Sequence, residues 1–299
     1  MKWTIQDESE NKFVVELLKT LRQDKFSPPA WQRFLGRSWE MSCKTANEHA
    51  ILKRSWVRTT LFISLLAAVI IFTSLLFEGP GSVLRLLPGF LFCVAWQQSD
   101  LFWHLGLNRQ AQTDKLLPVL GFANILTWLR GLGASYLLGR IVGELGTPSL
   151  LALLVFLCGL ATDILDGWVA RATRTQSKLG RIGDAEADFC LYLAITIILI
   201  QNAVLPSWLG LVMLLRFCVP LLAALGSYFL FAHPLRFGST LWGKCAGLAQ
   251  CLYFLFLLAP PQLTSSAQFV KPPLLILTLF LLVAAPTAQI VQNVQEARI

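Results

Sequence analysis

Charged residues are scarce in this chain: Asp, Glu, Lys and Arg together make up 14% of its 299 residues, whereas hydrophobic residues make up 55%. An average soluble domain is about 25% charged. The scarcity of charge therefore excludes an ordinary soluble domain. Several apolar runs are long enough to cross the roughly 30 Å hydrocarbon layer of a bilayer as helices. We therefore expect an all-α polytopic membrane protein, integral to the membrane and in contact with its lipids.

The chain also lacks the cysteine patterns of a disulfide framework or a zinc site. Its seven cysteines are scattered, and no two of them form a C-x-x-C pair. Most lie inside apolar runs, which favours reduced residues that fill space in the packing. The N-terminus shows no short apolar region followed by a small-residue cleavage site, so we expect no cleaved signal peptide.

The net charge is +8, but its distribution argues against a nucleic-acid partner. The basic residues lie in short loops beside apolar runs, where the positive-inside rule explains them more simply. With a cytoplasmic N-terminus, the inner segments hold 20 of the 25 Lys and Arg residues and the outer turns hold three. This bias predicts that both termini face the cytoplasm.

The pattern of polar and apolar stretches predicts three regions. Residues 1–56 form a polar segment, and Leu17, Leu18 and Leu21 recur in it at helical spacing. This amphipathic segment suits either the lipid interface or the protein's own cytoplasmic face. Residues 57–108 hold two additional transmembrane helices, at 57–77 and 86–105. The second stretch could instead form a re-entrant segment, because it contains a Pro-Gly pair and several polar residues. Asp100 and His104 lie four apart in it, a spacing more typical of a helix-surface hydrogen bond than of a ligand pair.

A polar linker, residues 109–118, leads into the third region, residues 118–299. We expect six membrane helices there, at about 121–139, 148–165, 181–201, 206–231, 240–259 and 273–291.

Two pairs of aspartates stand out in this apolar region. Asp163 and Asp166 are three residues apart, and Asp184 and Asp188 are four apart, so each pair shares one face of a helix. The apolar runs before the first pair and after the second bring both pairs to the place where one helix ends and the next begins. The sequence therefore predicts one acidic cluster at the cytoplasmic end of the bundle.

Such a cluster needs a cation. A charged side chain costs roughly 2.5 to 3.5 kcal/mol at the centre of a bilayer, and less near its surface. Carboxylate oxygens are hard ligands that favour Mg²⁺ or Mn²⁺, and Mg²⁺ commonly binds a few carboxylates together with substrate phosphates. Gly167 and Gly180 would let a nucleotide lie against the backbone. Basic residues between the two aspartate pairs could bind phosphate oxygens. These basic residues are Arg171, Arg174, Lys178 and Arg181.

These residues resemble a known signature. The pattern D-x-x-D-G-x-x-A-R, eight residues, then G-x-x-x-D-x-x-x-D is similar to that of the CDP-alcohol phosphotransferases, class I. Every position is filled, by Asp163, Asp166, Gly167, Ala170, Arg171, Gly180, Asp184 and Asp188. Upstream, Asn124, Thr127 and Arg130 match the family's N-x-x-T-x-x-R. Downstream, Gly243, Lys244 and Gln250 match a G-K-x-x-T-x-x-Q element, in which Gly247 stands where the family has threonine.

The resemblance implies a fold and a reaction. The fold would be a six-helix transmembrane core like the family's, here with two N-terminal transmembrane helices added. In the reaction, a hydroxyl attacks the β-phosphorus of a CDP-linked lipid and expels CMP. A pair of divalent ions, Mg²⁺ or Mn²⁺, would be held by Asp163, Asp166, Asp184 and Asp188. Asp188 would also be the catalytic base. Family members are often homodimers, so a homodimer is possible.

The resemblance also suggests which residues bind the substrates. The nucleotide would contact Asp163, Gly167, Ala170, Arg171 and Gly180, together with Asn124 and Thr127. Arg216 lies in the middle of an apolar run and needs a partner for its charge: the phosphate of an acceptor, a core aspartate or a helix end. Lys244 is a second phosphate candidate, or a lysine that snorkels to the interface. Arg130 is grouped with these two as a predicted phosphate ligand.

Arg216 and Lys244 favour glycerol 3-phosphate as the alcohol acceptor of CDP-diacylglycerol. Within the family, the competing acceptors are inositol or inositol phosphate, serine, phosphatidylglycerol, and diacylglycerol with a CDP-amino alcohol donor. From a different class, a cation channel or transporter could use the same aspartates as its ion site. It would move cations across liposomes without releasing CMP.

Overall fold

The computed structural model describes residues 8–113, 115–231, 241–260 and 265–297. These residues form helices and no strand, as the sequence predicted, with short 3₁₀ turns at Leu105–Leu107 and Ser265–Val270. The α-helices are α1 (Glu8–Gln23), α2 (Pro28–Glu48), α3 (Ala50–Glu78), α4 (Pro80–Trp103), α5 (Phe122–Val142), α6 (Ser149–Ala172), α7 (Lys178–Gln201), α8 (Ser207–Phe231), α9 (Leu241–Leu258) and α10 (Lys271–Ala297).

All eight stretches predicted as spans are helical, from α3 to α10. Among the described residues, four helical segments are long and apolar enough to cross a membrane. They are Ala50–Glu78, Ser149–Ala172, Leu241–Leu258 and Gln268–Ala285. The count of six plus two crossings stays a prediction. Residue 240, where one span was predicted to begin, lies outside the described residues, as do residues 1–7 and 298–299 of the predicted regions.

Helix α4 corresponds to the second of the two predicted N-terminal spans. It is continuous from Pro80 to Trp103, although Pro88 lies inside it. Whether α4 crosses the membrane or forms the re-entrant alternative stays a prediction. On its partner α3, large apolar side chains are exposed, including Leu61, Phe72 and Phe77. Exposed apolar faces of this size are typical of surfaces that meet lipid.

Helix α5 lies at the centre of the bundle, packed against α4, α6 and α7. Two glycines allow α4 to come close: a Cβ on Gly139 would lie 2.7 Å from Cβ of Phe90, and one on Gly89 would lie 2.8 Å from Cβ of Val142. Most of α5 is therefore buried, although it carries the polar residues Asn124, Thr127 and Arg130. Those polar groups must find partners inside the protein.

The N-terminal segment packs on the protein itself. Leu17, Leu18 and Leu21 of α1 are buried. Arg22 Nε donates to the carbonyl of Phe229 at the end of α8 over 2.7 Å. The Trp31 ring of α2 meets the Phe229 ring at a centroid distance of 5.2 Å. Of the two interpretations of this segment, the structure favours a helix pair docked on the protein.

The linker after α4 is joined to the loop between α6 and α7. The Ala111 N–H donates to the carbonyl of Gln176 over 2.8 Å, and the Lys178 N–H donates to the carbonyl of Arg109 over 3.0 Å. The Gln110 side-chain amide donates to the carbonyl of Arg174, 3.1 Å away. The linker thus holds the loop that connects the two helices with the aspartates.

Replacing Ala111 by proline tests this support. Proline has no N–H, so the bond to Gln176 is lost, at a cost of about 1 kcal/mol. We expect faster tryptic cleavage after Arg174 in detergent-solubilised Ala111→Pro than in wild type, measured by mass spectrometry. Ala111→Ser keeps the N–H and is the control. Equal cleavage rates in the two variants would show that the backbone bridge does not hold the loop.

Candidate active site

The four aspartates meet around one arginine. Helix α6 carries Asp163 and Asp166, and α7 carries Asp184 and Asp188. Arg130 of α5 donates to all four carboxylates: Nη1 to Asp163 over 2.9 Å and to Asp188, and Nη2 to Asp166 over 2.6 Å and to Asp184 over 2.7 Å. The two acidic pairs that the sequence predicted to meet are thus within reach of a single guanidinium.

Arg130 can reach this position because of the spacing along α5. Thr127 lies one helical turn before it, and its hydroxyl donates to Asp166 Oδ2 over 2.9 Å. The Arg130 side chain has no exposed surface. A guanidinium in this environment keeps its charge, since arginine is effectively always protonated. One positive charge therefore faces four carboxylates, and the cluster keeps an excess of negative charge if all four are ionised.

Three of the aspartates lie close enough together to hold a metal ion. Oxygen atoms of Asp163, Asp166 and Asp184 all lie within 4.8 Å of one another. Asp166 is buried, but the side chains of Asp163 and Asp184 are 46% and 43% exposed, so the group is open on one side. Carboxylate oxygens suit Mg²⁺ or Mn²⁺, and the residues present fit such an ion. Asp188 lies beside this group, joined to it through Arg130.

A cavity of about 210 Å³ opens next to the metal-ligating group. It is lined by five of the seven predicted nucleotide ligands: Asn124, Thr127, Gly167, Ala170 and Gly180. Asp163 and Arg171 are not part of the lining. The remaining lining residues are Ala123, Asp166, Thr175, Gln176, Ser177, Arg181 and Asp184.

Gly180 forms part of one wall of the cavity, where its backbone lies close to the side chain of Asn124. A Cβ at this position would lie 2.6 Å from Oδ1 of Asn124. Its N–H donates to the hydroxyl of Ser177 over 2.9 Å, so Ser177 caps the start of α7. Thr175, Gln176 and Ser177 were not among the residues predicted from the sequence. A serine three residues before a helical glycine, at the end of a polar loop, is an N-cap signal that would have pointed to Ser177.

The predicted phosphate ligands Arg216 and Lys244 lie outside this cavity. Arg216 of α8 donates from Nη1 to Oε1 of Gln250 over 3.2 Å, and its guanidinium lies 5.1 Å from the centroid of the Phe217 ring. Among the described residues it forms no ion pair within 4.0 Å. Lys244 is exposed near the start of α9. Arg130, the third predicted phosphate ligand, is the residue that holds the aspartates together.

Asp100 and His104 form a local pair at the end of α4. His104 Nδ1 lies 3.1 Å from Asp100 Oδ1. Glu186 of α7 lies close to this pair, so the pair also faces a neighbouring helix.

The central role of Arg130 can be tested by stability. Arg130→Gln leaves four carboxylates without their buried cation, and breaking a buried charge network costs about 3–5 kcal/mol. We expect a large loss of thermal stability in EDTA that Mg²⁺ partly restores, because a divalent ion can replace the missing charge. Melting temperatures in detergent, with EDTA and with Mg²⁺, measure this.

Arg140→Gln is the matched control, since Arg140 is also a buried arginine of α5 but pairs with Glu78 alone among the described carboxylates. Its loss of stability should be the same with EDTA and with Mg²⁺. If Mg²⁺ stabilises Arg130→Gln no more than wild type, the guanidinium is not the balancing charge of the cluster.

Comparison with known proteins agrees with this site. The family model described as CDP-alcohol phosphatidyltransferase matches residues 120–286. Cardiolipin synthase (CMP-forming) of Streptomyces coelicolor is 37% identical over 112 residues, which cover 36% of this chain and 51% of that protein. The chain thus spans about half the length of this relative. No solved structure matches the chain. With the matched region covering all four aspartates and more than half of the residues, the chain belongs to the CDP-alcohol phosphatidyltransferase family.

Proposed function

We propose that this membrane protein transfers a phosphatidyl group from CDP-diacylglycerol to a hydroxyl of a phosphoglycerol acceptor and releases CMP. The observation that carries the proposal is the meeting of four carboxylates around Arg130 at the edge of a cavity. Family membership supports phosphatidyl transfer from a CDP-linked lipid. Glycerol 3-phosphate is the first candidate for the acceptor.

The cavity between α5, α6 and the start of α7 suits the nucleotide of the donor. Its wall offers the Asn124 amide, the Thr127 and Ser177 hydroxyls, and the Arg181 guanidinium. Gly167 and Gly180 line the cavity without side chains of their own, and the space beside Gly180 is filled by Oδ1 of Asn124. The pyrophosphate of a nucleotide bound here would lie towards Asp166 and Asp184.

The acidic residues divide into two roles. Asp163, Asp166 and Asp184 would hold Mg²⁺ or Mn²⁺, with Asp188 completing the predicted set for two ions. When bound, such ions neutralise charge on the pyrophosphate and on the leaving phosphate. Asp188 lies beside the three, where one of its carboxylate oxygens can accept the proton of the attacking hydroxyl.

The transfer itself is a substitution at phosphorus. The acceptor oxygen forms a bond to the β-phosphorus while the bond from that phosphorus to the oxygen of CMP breaks. The hydroxyl proton passes to Asp188, and CMP leaves with the bonding electron pair. Reactions of this type depend on positioning and charge neutralisation more than on covalent chemistry with the protein.

The acceptor is proposed from the cations near the cluster. Arg216 is a half-buried cation in the apolar region, and a phosphate is a suitable partner for its planar guanidinium. Lys244 is the other predicted phosphate ligand that is not already bonded to the aspartates. Phosphatidylglycerol is the second candidate acceptor, because the chain is similar to a cardiolipin synthase. Both acceptors present a glycerol hydroxyl close to a phosphate.

The excess of Lys and Arg on one side, 20 against three, supports a cytoplasmic position for the aspartate cluster. CTP-derived nucleotides are found in that compartment. A cation channel or transporter, the candidate from another class, has no comparable support.

The proposal is tested with purified protein in micelles that contain CDP-diacylglycerol. We expect CMP release that requires a divalent ion and an acceptor, measured by chromatography, with glycerol 3-phosphate or phosphatidylglycerol preferred over serine, inositol and diacylglycerol. No CMP release with any acceptor, together with cation flux in liposomes, would favour a transporter instead.

Asp188→Asn tests the proposed base. An amide cannot accept the proton, so turnover should fall by about 100-fold or more while CMP binding, measured by calorimetry, stays close to wild type. Glu186→Gln is the control, because Glu186 is a carboxylate on the same helix that lies near Asp100 and His104 and is not among the four that Arg130 contacts. Near-normal turnover by Asp188→Asn would mean that another group takes the proton.

A further inference from the structure

Arg216 is held in an unusual way for a cation in an apolar helix. No carboxylate of the described residues lies within ion-pair distance of its guanidinium. Its hydrogen-bond partner is the neutral side chain of Gln250, and the Phe217 ring lies 5.1 Å away. A charge in such surroundings is costly and needs an anionic partner. An amide and a ring orient the guanidinium without cancelling its charge, so its capacity to bind an anion is kept.

Gln250 is itself fixed. Its side chain has no exposed surface. Its Nε2 donates to the carbonyl of Met213, one turn before Arg216 on α8, over 3.4 Å, and its Oε1 accepts from Arg216. Because the amide is used at both ends, it ties α9 to α8 and sets the direction of the guanidinium.

Gly247 provides the space for this arrangement. A Cβ at Gly247 would lie 2.5 Å from Nη2 of Arg216, 3.1 Å from Cζ and 3.2 Å from Nη1. The guanidinium therefore occupies the space that a side chain at position 247 would need. Glycine is unfavourable inside a helix, and Gly247 lies in the interior of α9. Any larger residue would force the guanidinium to move.

Arg216 does not line the nucleotide cavity. The lining includes Asp166 and Asp184 but neither Asp188 nor Arg216. Helix α8, which carries Arg216, packs against α7, which carries Asp188. An anion held by Arg216 would therefore bring the rest of its molecule to the proposed base.

We propose that Gly247 is a specificity-determining residue: together with Gln250 it holds the Arg216 guanidinium in place to receive the phosphate of a phosphoglycerol acceptor. This inference rests on the proposed function. Gly247 acts through Arg216 and is therefore a positioning residue. The free phosphate of glycerol 3-phosphate and the phosphodiester of phosphatidylglycerol share the required chemistry.

Gly247→Ala tests the proposal by kinetics. Displacing the guanidinium should raise the KM for glycerol 3-phosphate or phosphatidylglycerol, whichever is used, by about 10-fold or more. The KM for CDP-diacylglycerol and the rate with glycerol, which has no phosphate, should stay unchanged. In an Arg216→Gln background, Gly247→Ala should have no further effect, because its target is already gone. Gln250→Met, which removes the acceptor of Arg216, should act in the same direction as Gly247→Ala.

Gly226→Ala is the matched control, since a Cβ on this glycine of α8 meets nothing within 4 Å. It should leave every KM unchanged. If Gly247→Ala raises the KM for glycerol as much as that for the phosphate acceptors, or if its effect persists in Arg216→Gln, the proposal is wrong.

A binding measurement separates this inference from the proposed reaction. If wild type turns over none of the acceptors, the proposed function fails. Thermal stabilisation by glycerol 3-phosphate in the presence of Mg²⁺ then decides the inference by itself. Stabilisation that is present in wild type and Gly226→Ala but absent in Gly247→Ala supports it, and equal responses in all three proteins, or no response in wild type, overturn it.

Discussion

The structure depends on one buried arginine that faces four carboxylates. Arg130 has no exposed surface and lies on the central helix α5, while the aspartates come from α6 and α7. A guanidinium has five donors in a planar fork, so a single side chain can serve both acidic pairs. Moving α5 outward by a few ångströms would leave like charges facing one another in an apolar bundle. The close packing of α4 on α5 through Gly139 is thus part of what keeps the cluster together.

The contacts of Arg130 also explain why the four aspartates can stay together when no divalent ion is bound and can still attract one. One guanidinium does not balance the charge of four ionised carboxylates, so a net negative charge remains. Asp163 and Asp184 face the open side, whereas Thr127 and Arg130 hold Asp166 from the buried side. The protein therefore contacts all four carboxylates through Arg130, while the exposed surfaces of Asp163 and Asp184 remain accessible to ligands.

Much of this organisation could be predicted from the sequence, because it depends on the types and the spacing of the side chains. Apolar runs gave the helices, and the three- and four-residue spacings placed the aspartates together. Spacing did not tell whether Arg130 meets phosphate or carboxylate, since both partners are anions at the same helix end. The bridge between Ala111 and Gln176 consists of backbone groups, which leave no pattern in a sequence. The reason for a glycine at position 247 appears only when α8 and α9 are seen side by side.

The positions of the cavity and of Arg216 suggest the directions from which the donor and the acceptor would approach in the proposed transfer. In-line substitution at phosphorus needs the attacking and leaving oxygens on opposite sides of the reacting centre. The nucleotide cavity reaches the cluster between α5, α6 and the first turns of α7, beside Asp184. Arg216 lies on α8, which packs against α7, the helix that carries Asp188. If the leaving CMP occupies the cavity, we expect the acceptor to approach from the α8 side. The glycerol phosphate of a soluble phosphoglycerol and that of a lipid headgroup would then be recognised by Arg216 in the same way.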